Sequence, residues 1–356
     1  MPTVILTGGG TAGHVTPHLA LVPRLKQCGW AIHYIGSRDG IERSLIRDIP
    51  YSAVATGKLR RYFDLQNFID PLKVVWGTLQ AWVLLGRIQP DVVFSKGGFV
   101  SVPVALAASI RGVPVILHES DMTPGLANRL VMPFARRICV TFPETAAHVP
   151  AGKLTITGTP LRDELFAGDR KKGLALCEFN KERPVLLVMG GSLGSAALNA
   201  ALRGKLHAIT ENFQVVHLCG KGNGDTALNE YPGYKQFEYV HDDMPHLLAA
   251  ADLVVSRAGA NSLFELLALR KPNLLVPLSM QSSRGDQIAN AASFAKQGFS
   301  RVLPEERLTP DMLNIEIAEA WQQRANMVKA MTTSPVTNGT TTILNLLNEY
   351  AKEPAQ

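Results

Sequence analysis

Cysteine is scarce in this chain and is never closely paired in sequence. Four cysteines occur far apart in 356 residues, and none belongs to a C-x-x-C pair. This spacing argues against a zinc site or a redox dithiol and predicts free thiols. The first residues, Met1-Pro2-Thr3, also lack the basic and apolar regions of a secretory signal. We therefore expect the chain to remain inside the cell.

Long apolar runs and charge of one sign are missing as well. The most apolar stretch, residues 98–117, is interrupted by Pro103, Arg111 and Pro114, so no transmembrane helix is predicted. Basic residues number 36 and acidic residues 30, a balance too even to indicate a nucleic-acid partner. The remaining net charge of +6 suits an anionic metabolite or an anionic membrane surface equally well.

What the sequence does contain is a regular alternation of short apolar runs with longer amphipathic segments. This alternation is typical of βαβ units and a parallel sheet, and the chain length predicts two domains. An internal echo supports the division, because VILTGGGTAGHVTPHLAL near the start reappears in outline as VLLVMGGSLGSAALNAAL from residue 185. We predict an α/β fold of two facing, Rossmann-like, doubly wound domains, with ligands bound at the carboxyl ends of strands in the cleft between them.

Two breaks divide the chain. The segment GTPLRDE, residues 158–164, is the expected linker, because Gly-x-Pro after a strand ends regular structure. A second break lies at TTSPVTNGTTT, residues 332–342. We therefore expect an N-terminal domain over 1–160 and a C-terminal domain over 161–335, with 336–356 packing back on the first.

The first glycine loop, GGGTAGH over residues 8–14, follows a predicted strand and matches G-x-G-x-x-G. A dinucleotide site must therefore be considered. An NAD site requires an acid at the end of the second strand, but that position reads Gly36-Ser37-Arg38, which at best suits a 2′-phosphate. An NADP-dependent Rossmann oxidoreductase is one alternative. A non-catalytic protein that binds a nucleotide sugar is another.

The second half of the chain carries two further glycine turns. GGSLGS, residues 190–195, is a phosphate-type turn before a helix, and its Ser192 could donate to a pyrophosphate. SRAGANSLFE, residues 256–265, places Glu265 one or two turns into a helix. That carboxylate could accept both hydroxyls of a ribose, or it could complement the helix dipole.

These motifs together carry a family resemblance that spans nearly the whole chain. The sequence resembles MurG-type N-acetylglucosaminyltransferases of peptidoglycan synthesis in the residues and the order of its motifs. These motifs are GGGTAGH, KGGFVSVP, HESDMTPGLANR, GTPLR, GGSLGS, YVHDDM, SRAGANSLFE and RGDQIANA. The resemblance implies a GT-B fold with the donor held mainly by the second domain and the acceptor by the first. It also implies an inverting hexosyltransferase that moves GlcNAc from UDP-GlcNAc to the 4-OH of MurNAc in undecaprenyl-pyrophosphoryl-MurNAc-pentapeptide, converting lipid I to lipid II.

The resemblance also implies roles for individual residues. Arg162 and Ser192 would lie near the donor pyrophosphate, Glu265 near its ribose and Gln287 near its sugar, while the backbone of Val240 and His241 would contact the uracil. Thr11, Ala12 and Gly13 would approach the donor at the cleft. The other positions expected to contact a substrate are Asp121, Asn128, Ala260, Asn261 and Ser262. Asp121 departs from the commoner family pattern, in which this position is Asn.

Transfer to a sugar hydroxyl requires a base and stabilisation of the departing UDP. We favour His14 as the base, because neutral imidazole titrates near working pH; a hydrogen-bonding cap is the other interpretation of His14, and Asp121 and Glu119 are competing bases. No D-x-D motif occurs, so no metal and no cofactor is predicted. Helix N-termini after the glycine loops, with Arg162, would neutralise the pyrophosphate instead.

The segment from Leu59 to Ile88 contains an apolar stripe at helical spacing with basic residues close by. The stripe is either part of the core or an interfacial patch that meets an anionic membrane. The lipid tail of the expected acceptor favours a peripheral protein on the cytoplasmic face of the membrane, and it leaves cell-wall synthesis proteins open as partners. The stripe comprises Leu72, Val75, Trp76, Leu79, Trp82 and Val83, and the basic residues are Lys58, Arg60, Arg61, Lys73 and Arg87.

Overall fold

The computed structural model describes residues 1–57, 66–191, 194–334 and 338–351. The chain divides into two compact units. Unit 1 comprises Met1–Arg162 and Val336–Gln356, and unit 2 comprises Asp163–Pro335. All four cysteines are free thiols, as predicted.

Unit 1 contains a parallel sheet with helices on both faces. Its strands are β1 (Thr3–Thr7), β2 (Ala31–Gly36), β3 (Tyr51–Ala53), β4 (Val92–Ser95), β5 (Val115–Glu119), β6 (Arg137–Val140) and β7 (Leu154–Ile156). Its helices before the linker are α1 (Thr16–Gln27), α2 (Ile41–Leu45), α3 (Gln66–Ile88), α4 (Ser101–Ile110) and α5 (Leu126–Val131). The strand order is β3-β2-β1-β4-β5-β6-β7, and every pair is parallel.

The central strands of unit 1 are apolar on both sides. β1, β4 and β5 read TVILT, VVFS and VILHE and are almost wholly buried, as β-branched runs covered by helices on two faces should be. One core cluster joins α3, α4 and α5 to the sheet. The other joins α1 to the last helix, α13 (Thr340–Asn348), which places Ile343 and Leu347 in the same core as Val4 and Leu6.

Unit 2 repeats the architecture with a six-stranded sheet. Its strands are β8 (Val185–Met189), β9 (Gln214–Leu218), β10 (Tyr234–Phe237), β11 (Leu253–Ser256), β12 (Asn273–Leu275) and β13 (Arg301–Val302). Its helices are α6 (Arg170–Leu176), α7 (Ala196–Gly204), α8 (Leu206–Asn212), α9 (Met244–Ala250), α10 (Ala260–Ala268), α11 (Asp286–Lys296) and α12 (Pro310–Thr332). The strand order is β10-β9-β8-β11-β12-β13, again with every pair parallel.

Each strand order fixes where a ligand can bind. In unit 1 the chain leaves β1 toward one side of the sheet and returns to β4 on the other, and β8 and β11 are related in the same way in unit 2. Such switch points open a crevice at the carboxyl ends of the two strands. The glycine loops after β1, β4, β8 and β11 all lie at these crevices. Across the described ranges, the helices are all too short or too polar to cross a lipid bilayer.

Candidate functional site

The glycine loop of unit 1 is built around a buried carboxylate. Glu42, at the start of α2, accepts hydrogen bonds from the backbone N–H of Gly10 (3.1 Å) and of Ser37 (3.0 Å), and from the Ser37 hydroxyl. A Cβ atom on Gly9 or Gly40 would collide with the same carboxylate. Burial alone would raise the pKa of Glu42, but the hydrogen bonds from Ser37 and Gly10 lower it below its ordinary value. The carboxylate is therefore ionised at neutral pH.

This arrangement disfavours a dinucleotide at the first loop. In the dinucleotide-binding motif, the loop amides and the helix N-terminus hold the pyrophosphate. Here the Gly10 amide already donates to an anion that belongs to the protein. A phosphate at the same place would meet the charge of Glu42 at close range and in a partly buried setting, where repulsion between like charges is strong. For this reason the G-x-G-x-x-G match in the first loop does not support an NADP-dependent oxidoreductase.

His14 ends the short 3₁₀ turn Ala12–His14 that follows the loop. Its Nδ1 lies 3.0 Å from the carbonyl oxygen of Gly9 and 3.2 Å from the hydroxyl oxygen of Thr11. A carbonyl oxygen accepts only, so Nδ1 carries the proton and Nε2 carries the lone pair. The ring is half-buried and Thr11 and Gly13 beside it are exposed. This tautomer and this orientation suit a general base.

Glu119 at the end of β5, Asp121 in the turn that follows and Asn128 on α5 form one hydrogen-bonded group. Glu119 is buried and accepts from the backbone N–H of Asp121 (2.9 Å) and of Gly125 (3.0 Å), and from the side chain of Asn128 (2.8 Å). Burial, followed by the charge of Asp121, raises the pKa of Glu119. Glu119 and Asn128 thus shape the turn, and the half-buried Asp121 is the member of the group nearer to solvent.

In unit 2 a buried guanidinium joins three strand ends. Arg257, directly after β11, donates to the Ser195 hydroxyl (2.6 Å) at the start of α7 and to the carbonyl of Val276 (3.0 Å) after β12. It also pairs with Glu305, which accepts from the backbone N–H of Ser279 (2.9 Å). Within the described part of the turn, no carboxylate is hydrogen-bonded to the loop amides from Gly190 to Ser195. The two glycine loops therefore differ in the charge that contacts them.

The other residues predicted in unit 2 lie at the same edge of the sheet. Ala260, Asn261 and Ser262 form the first turn of α10, and Glu265 lies one turn further on. Gln287, in the first turn of α11, accepts through Oε1 from the backbone N–H of Ala258 (3.3 Å) and of Leu278 (3.1 Å).

The remaining predicted residues lie at the ends of other elements. Val240 and the exposed His241 follow the edge strand β10. Arg162 is the last residue of the first segment of unit 1. Ser192 lies outside the described residues. In the described ranges, no three His, Cys, Asp or Glu side chains cluster closely enough to hold a metal ion.

Sequence reasoning missed Glu42 and Arg257, and also Lys96, which follows β4. Lys96 and Arg257 share a signal that could have found them, because each is a charged residue placed between a largely apolar strand and a glycine turn. Side chains at that place lie at the carboxyl edge of the sheet, where α/β folds bind ligands. Glu42 carries no such signal, since its carboxylate reaches the first loop from the start of α2.

The buried histidines predict loss of stability in mild acid. Burial, and then the charge of Lys96, lowers the pKa of His18 and of His118 well below 6.5; in unit 2 burial and Arg203 lower the pKa of His217 to about 3. Below pH 6.5 the unfolded chain binds protons that the folded chain does not, so the free energy of unfolding falls as pH falls. We expect the urea midpoint to decrease between pH 7.0 and pH 5.0, because the three histidines together outweigh Glu119, whose raised pKa acts in the opposite direction.

A His217→Gln variant provides the check on this pH dependence. It should be less stable at pH 7.0, because two hydrogen bonds of the ring, to Tyr234 and Asn199, are lost or changed. Its urea midpoint should nevertheless decrease less steeply with falling pH. A wild-type midpoint that stays constant from pH 7.0 to pH 5.0 would show that these histidines are not buried in the neutral form.

Family models match both units. The model of the glycosyltransferase family 28 N-terminal domain matches residues 4–140, and that of the glycosyltransferase family 28 C-terminal domain matches residues 185–347. The chain therefore belongs to glycosyltransferase family 28. The predicted GT-B fold class and the predicted hexosyltransferase class are both confirmed.

Relatives that align over nearly their full length show which kind of glycosyltransferase this chain is similar to. A protein of Clostridium kluyveri is 53% identical over 98% of this chain and 100% of its own length. One of Clostridium novyi is 51% identical over 98% of this chain and 99% of its own length. Both are named UDP-N-acetylglucosamine–N-acetylmuramyl-(pentapeptide) pyrophosphoryl-undecaprenol N-acetylglucosamine transferase. Among solved structures, the MurG of Acinetobacter baumannii aligns with a TM-score of 0.80 at 26% identity, covering 98% of this chain and 100% of that one.

Proposed function

We propose that this protein transfers GlcNAc from UDP-GlcNAc to the 4-OH of MurNAc in undecaprenyl-pyrophosphoryl-MurNAc-pentapeptide, the step that converts lipid I to lipid II. The named relatives cover the whole chain at about half identity. The observation in the structure that carries the proposal is the contrast between the two glycine loops. One has a carboxylate against its amides and the other has a guanidinium against its helix start. The diphosphate of the donor would therefore bind at the second glycine loop, in unit 2.

On the donor side, each loop of unit 2 has a proposed task. The N-termini of α7 and α10 would face the diphosphate, together with Ser192 and Arg162. Glu265 would accept the ribose hydroxyls, and the backbone of Val240 and His241 would bind the uracil edge. Gln287 would donate to the sugar through its amide nitrogen, since its oxygen is already hydrogen-bonded.

On the acceptor side, His14 is the proposed general base. Its Nε2 would take the proton of the MurNAc 4-OH as the 4-oxygen forms a bond to C1 of GlcNAc. The bond between C1 and the diphosphate oxygen would break on the opposite face, with its electron pair leaving on UDP, so the configuration at C1 inverts. Thr11, Ala12 and Gly13 would line the approach, and Asp121 would hold the acceptor. The buried Asn128, expected to contact a substrate, would act only indirectly, through its hydrogen bond to Glu119.

Calorimetry with UDP, UDP-GlcNAc and NADPH tests the donor assignment. We expect UDP and UDP-GlcNAc to bind and NADPH not to bind. Glu265→Gln should weaken the binding of UDP by roughly 1.5–3 kcal/mol, the contribution of hydrogen bonds to a charged group. Glu211→Gln, at an exposed glutamate on α8, is the matched control and should bind UDP normally. If Glu265→Gln binds UDP with unchanged affinity, the carboxylate of Glu265 only complements the dipole of α10.

The proposal extends to the membrane through α3. One face of this helix is buried against α4 through Ala81 and Leu85. The opposite face carries the predicted stripe, and all six of its side chains are exposed, with Trp76 at 58% and Trp82 at 42%. The interpretation of the stripe as core is therefore wrong.

Cations lie beside this exposed stripe. The guanidinium of Arg111 lies 3.9 Å from the ring centroid of Trp82, and Lys73 and Arg87 are close in sequence. The other predicted cations, Lys58, Arg60 and Arg61, lie outside the described residues. Tryptophan favours the headgroup level of a bilayer, and cations are attracted to anionic lipid. We propose that this face rests on the cytoplasmic leaflet, where it would meet the lipid-linked acceptor.

Vesicle sedimentation tests the membrane contact. Replacing Trp76 and Trp82 with glutamine should leave the fold intact, because both rings are largely exposed, and should reduce binding to vesicles that contain anionic phospholipid. A matched control replaces two exposed apolar residues of unit 2, Leu176 and Ile315, with glutamine and should bind vesicles like the wild type. Equal binding by the two double variants would contradict the contact.

A further inference from the structure

Lys96 is a buried lysine to which the mechanism above assigns no role. It follows β4, and only 1% of its surface is exposed. Its Nζ lies 2.7 Å from Nδ1 of His118 and also donates to the hydroxyl of Ser120. His118 donates through Nε2 to the carbonyl of Gly158 (2.9 Å), so its Nδ1 must accept. The ammonium is thus held by two acceptors, and the orientation of the His118 ring is fixed by its hydrogen bond to Gly158.

The main chain at Lys96 contacts the other catalytic loop. The backbone N–H of Lys96 donates to the carbonyl of Thr7 (2.9 Å), and the carbonyl of Gly97 accepts from Gly9 (3.3 Å). A Cβ atom on Gly8 would lie 2.8 Å from the carbonyl oxygen of His14 and 3.2 Å from Cβ of Lys96, so the glycine loop packs tightly against Lys96. Lys96 therefore connects the glycine loop that carries His14 with the turn after β5 that carries Asp121.

Burial makes the charge of Lys96 energetically costly. Burial lowers the pKa of Lys96 to about 8, although the nearby carboxylates Glu119 and Asp121 and the thiol of Cys139 act in the opposite direction. The two imidazoles nearby, His18 and His118, have lowered pKa values and are neutral at pH 7. A buried methionine of similar length would avoid this desolvation cost. A costly buried charge that touches two loops of a site is a candidate for a functional role.

We propose that Lys96 is a positioning residue for the transfer reaction, which holds the turn from His118 to Asp121 in register with the glycine loop of His14. The inference rests on the proposed function. Lys96 acts through Ser120 and His118, since it is too deeply buried to reach a substrate. A displacement of about 1 Å at a catalytic group can cost ~10²-fold in rate. Loss of Lys96 should therefore lower kcat while leaving the donor site of unit 2 unchanged.

The test compares Lys96→Met, Ser120→Ala and the double variant. We expect Lys96→Met to lower kcat for transfer by roughly 10²-fold, with UDP affinity by calorimetry unchanged. Ser120→Ala removes one acceptor of the ammonium and should lower kcat less. If Lys96 acts through Ser120, the double variant should be no slower than Lys96→Met, because losses multiply only for independent sites. Should Lys96→Met fail to fold, Ser120→Ala alone must still lower kcat without changing UDP affinity.

Lys271→Met is the matched control. Lys271 is a half-buried lysine in unit 2, and its Nζ donates to the main-chain carbonyls of Ala249 (3.3 Å) and Ala251 (2.8 Å). This variant should lose stability and keep kcat. Wild-type kcat in Lys96→Met, or losses that multiply in the double variant, would overturn the role of Lys96. A wild-type protein that makes no lipid II would instead overturn the proposed function itself.

Discussion

Replacing His14 with alanine is expected to lower kcat by roughly 10²–10⁴-fold, the usual contribution of a general base. The imidazole is fixed by its Nδ1 contact with the Gly9 carbonyl, which leaves the lone pair on Nε2. The loop itself should keep its conformation in this variant, because the backbone N–H of Gly10 is hydrogen-bonded to Glu42. UDP affinity should stay at the wild-type level, because His14 is not among the proposed donor contacts. Steady-state kinetics and calorimetry on one preparation measure both quantities.

A histidine on the surface provides the control for His14. His207 on α8 is exposed and lies 3.9 Å from Glu211, and His207→Ala should keep full activity. If His14→Ala retains wild-type kcat, the base is Asp121, and Asp121→Asn should then show the loss. Glu119 is the weaker alternative, since its carboxylate already accepts from two amides and from Asn128.

Replacing Arg257 with methionine is expected to have the largest effect on unit 2. The change leaves Glu305 without its cation, and breaking a buried ion pair in this way costs about 3–5 kcal/mol of stability. It also removes the common partner of Ser195 and Val276, which follow β8 and β12, the two neighbours of β11 in the sheet. UDP affinity should fall by about 1.5–3 kcal/mol, as expected for loss of a charged hydrogen-bonding group. Urea denaturation and calorimetry measure the two effects.

The double variant Arg257→Met with Glu305→Gln separates the two consequences. It should recover much of the stability, because no charge is left buried and unpaired, while UDP binding stays weak. Arg324→Met, in which the lost guanidinium stacks on Trp321 at 3.9 Å, should change neither property greatly. Normal UDP affinity in the double variant would mean that the guanidinium supports the fold of the loop and contributes nothing to donor binding.

The fold could be predicted from the sequence because its signals are local. Apolar strands such as β1 and β8 run into glycine turns, and the alternation with amphipathic helices is regular. The side on which α3 faces solvent could not be decided in this way, since Leu72 and Trp76 have the same spacing in a core helix as in an exposed one. Only the packing of Ala81 and Leu85 against α4 settles it.

The site could be predicted only in part, because its electrostatics come from residues far apart in sequence. The absence of an acid at Gly36-Ser37-Arg38 was visible, but the carboxylate of Glu42 returns to Gly10 from 32 residues away. Arg257 reaches Ser195 across 62 residues. No pattern of spacing reports such pairings. The glycine loops could therefore be located from the sequence, whereas the charge that distinguishes them required the structure.

The most direct measurement is transfer of radiolabelled GlcNAc from UDP-GlcNAc to lipid I in detergent micelles. We predict that the label enters the lipid-extractable fraction in stoichiometric amount with the UDP released, that the product carries GlcNAc in β-linkage on the 4-oxygen of MurNAc, and that His14→Ala makes it far more slowly. Release of UDP with the label remaining in free GlcNAc, or no turnover while UDP-GlcNAc still binds, would contradict the assignment of this chain as the transferase.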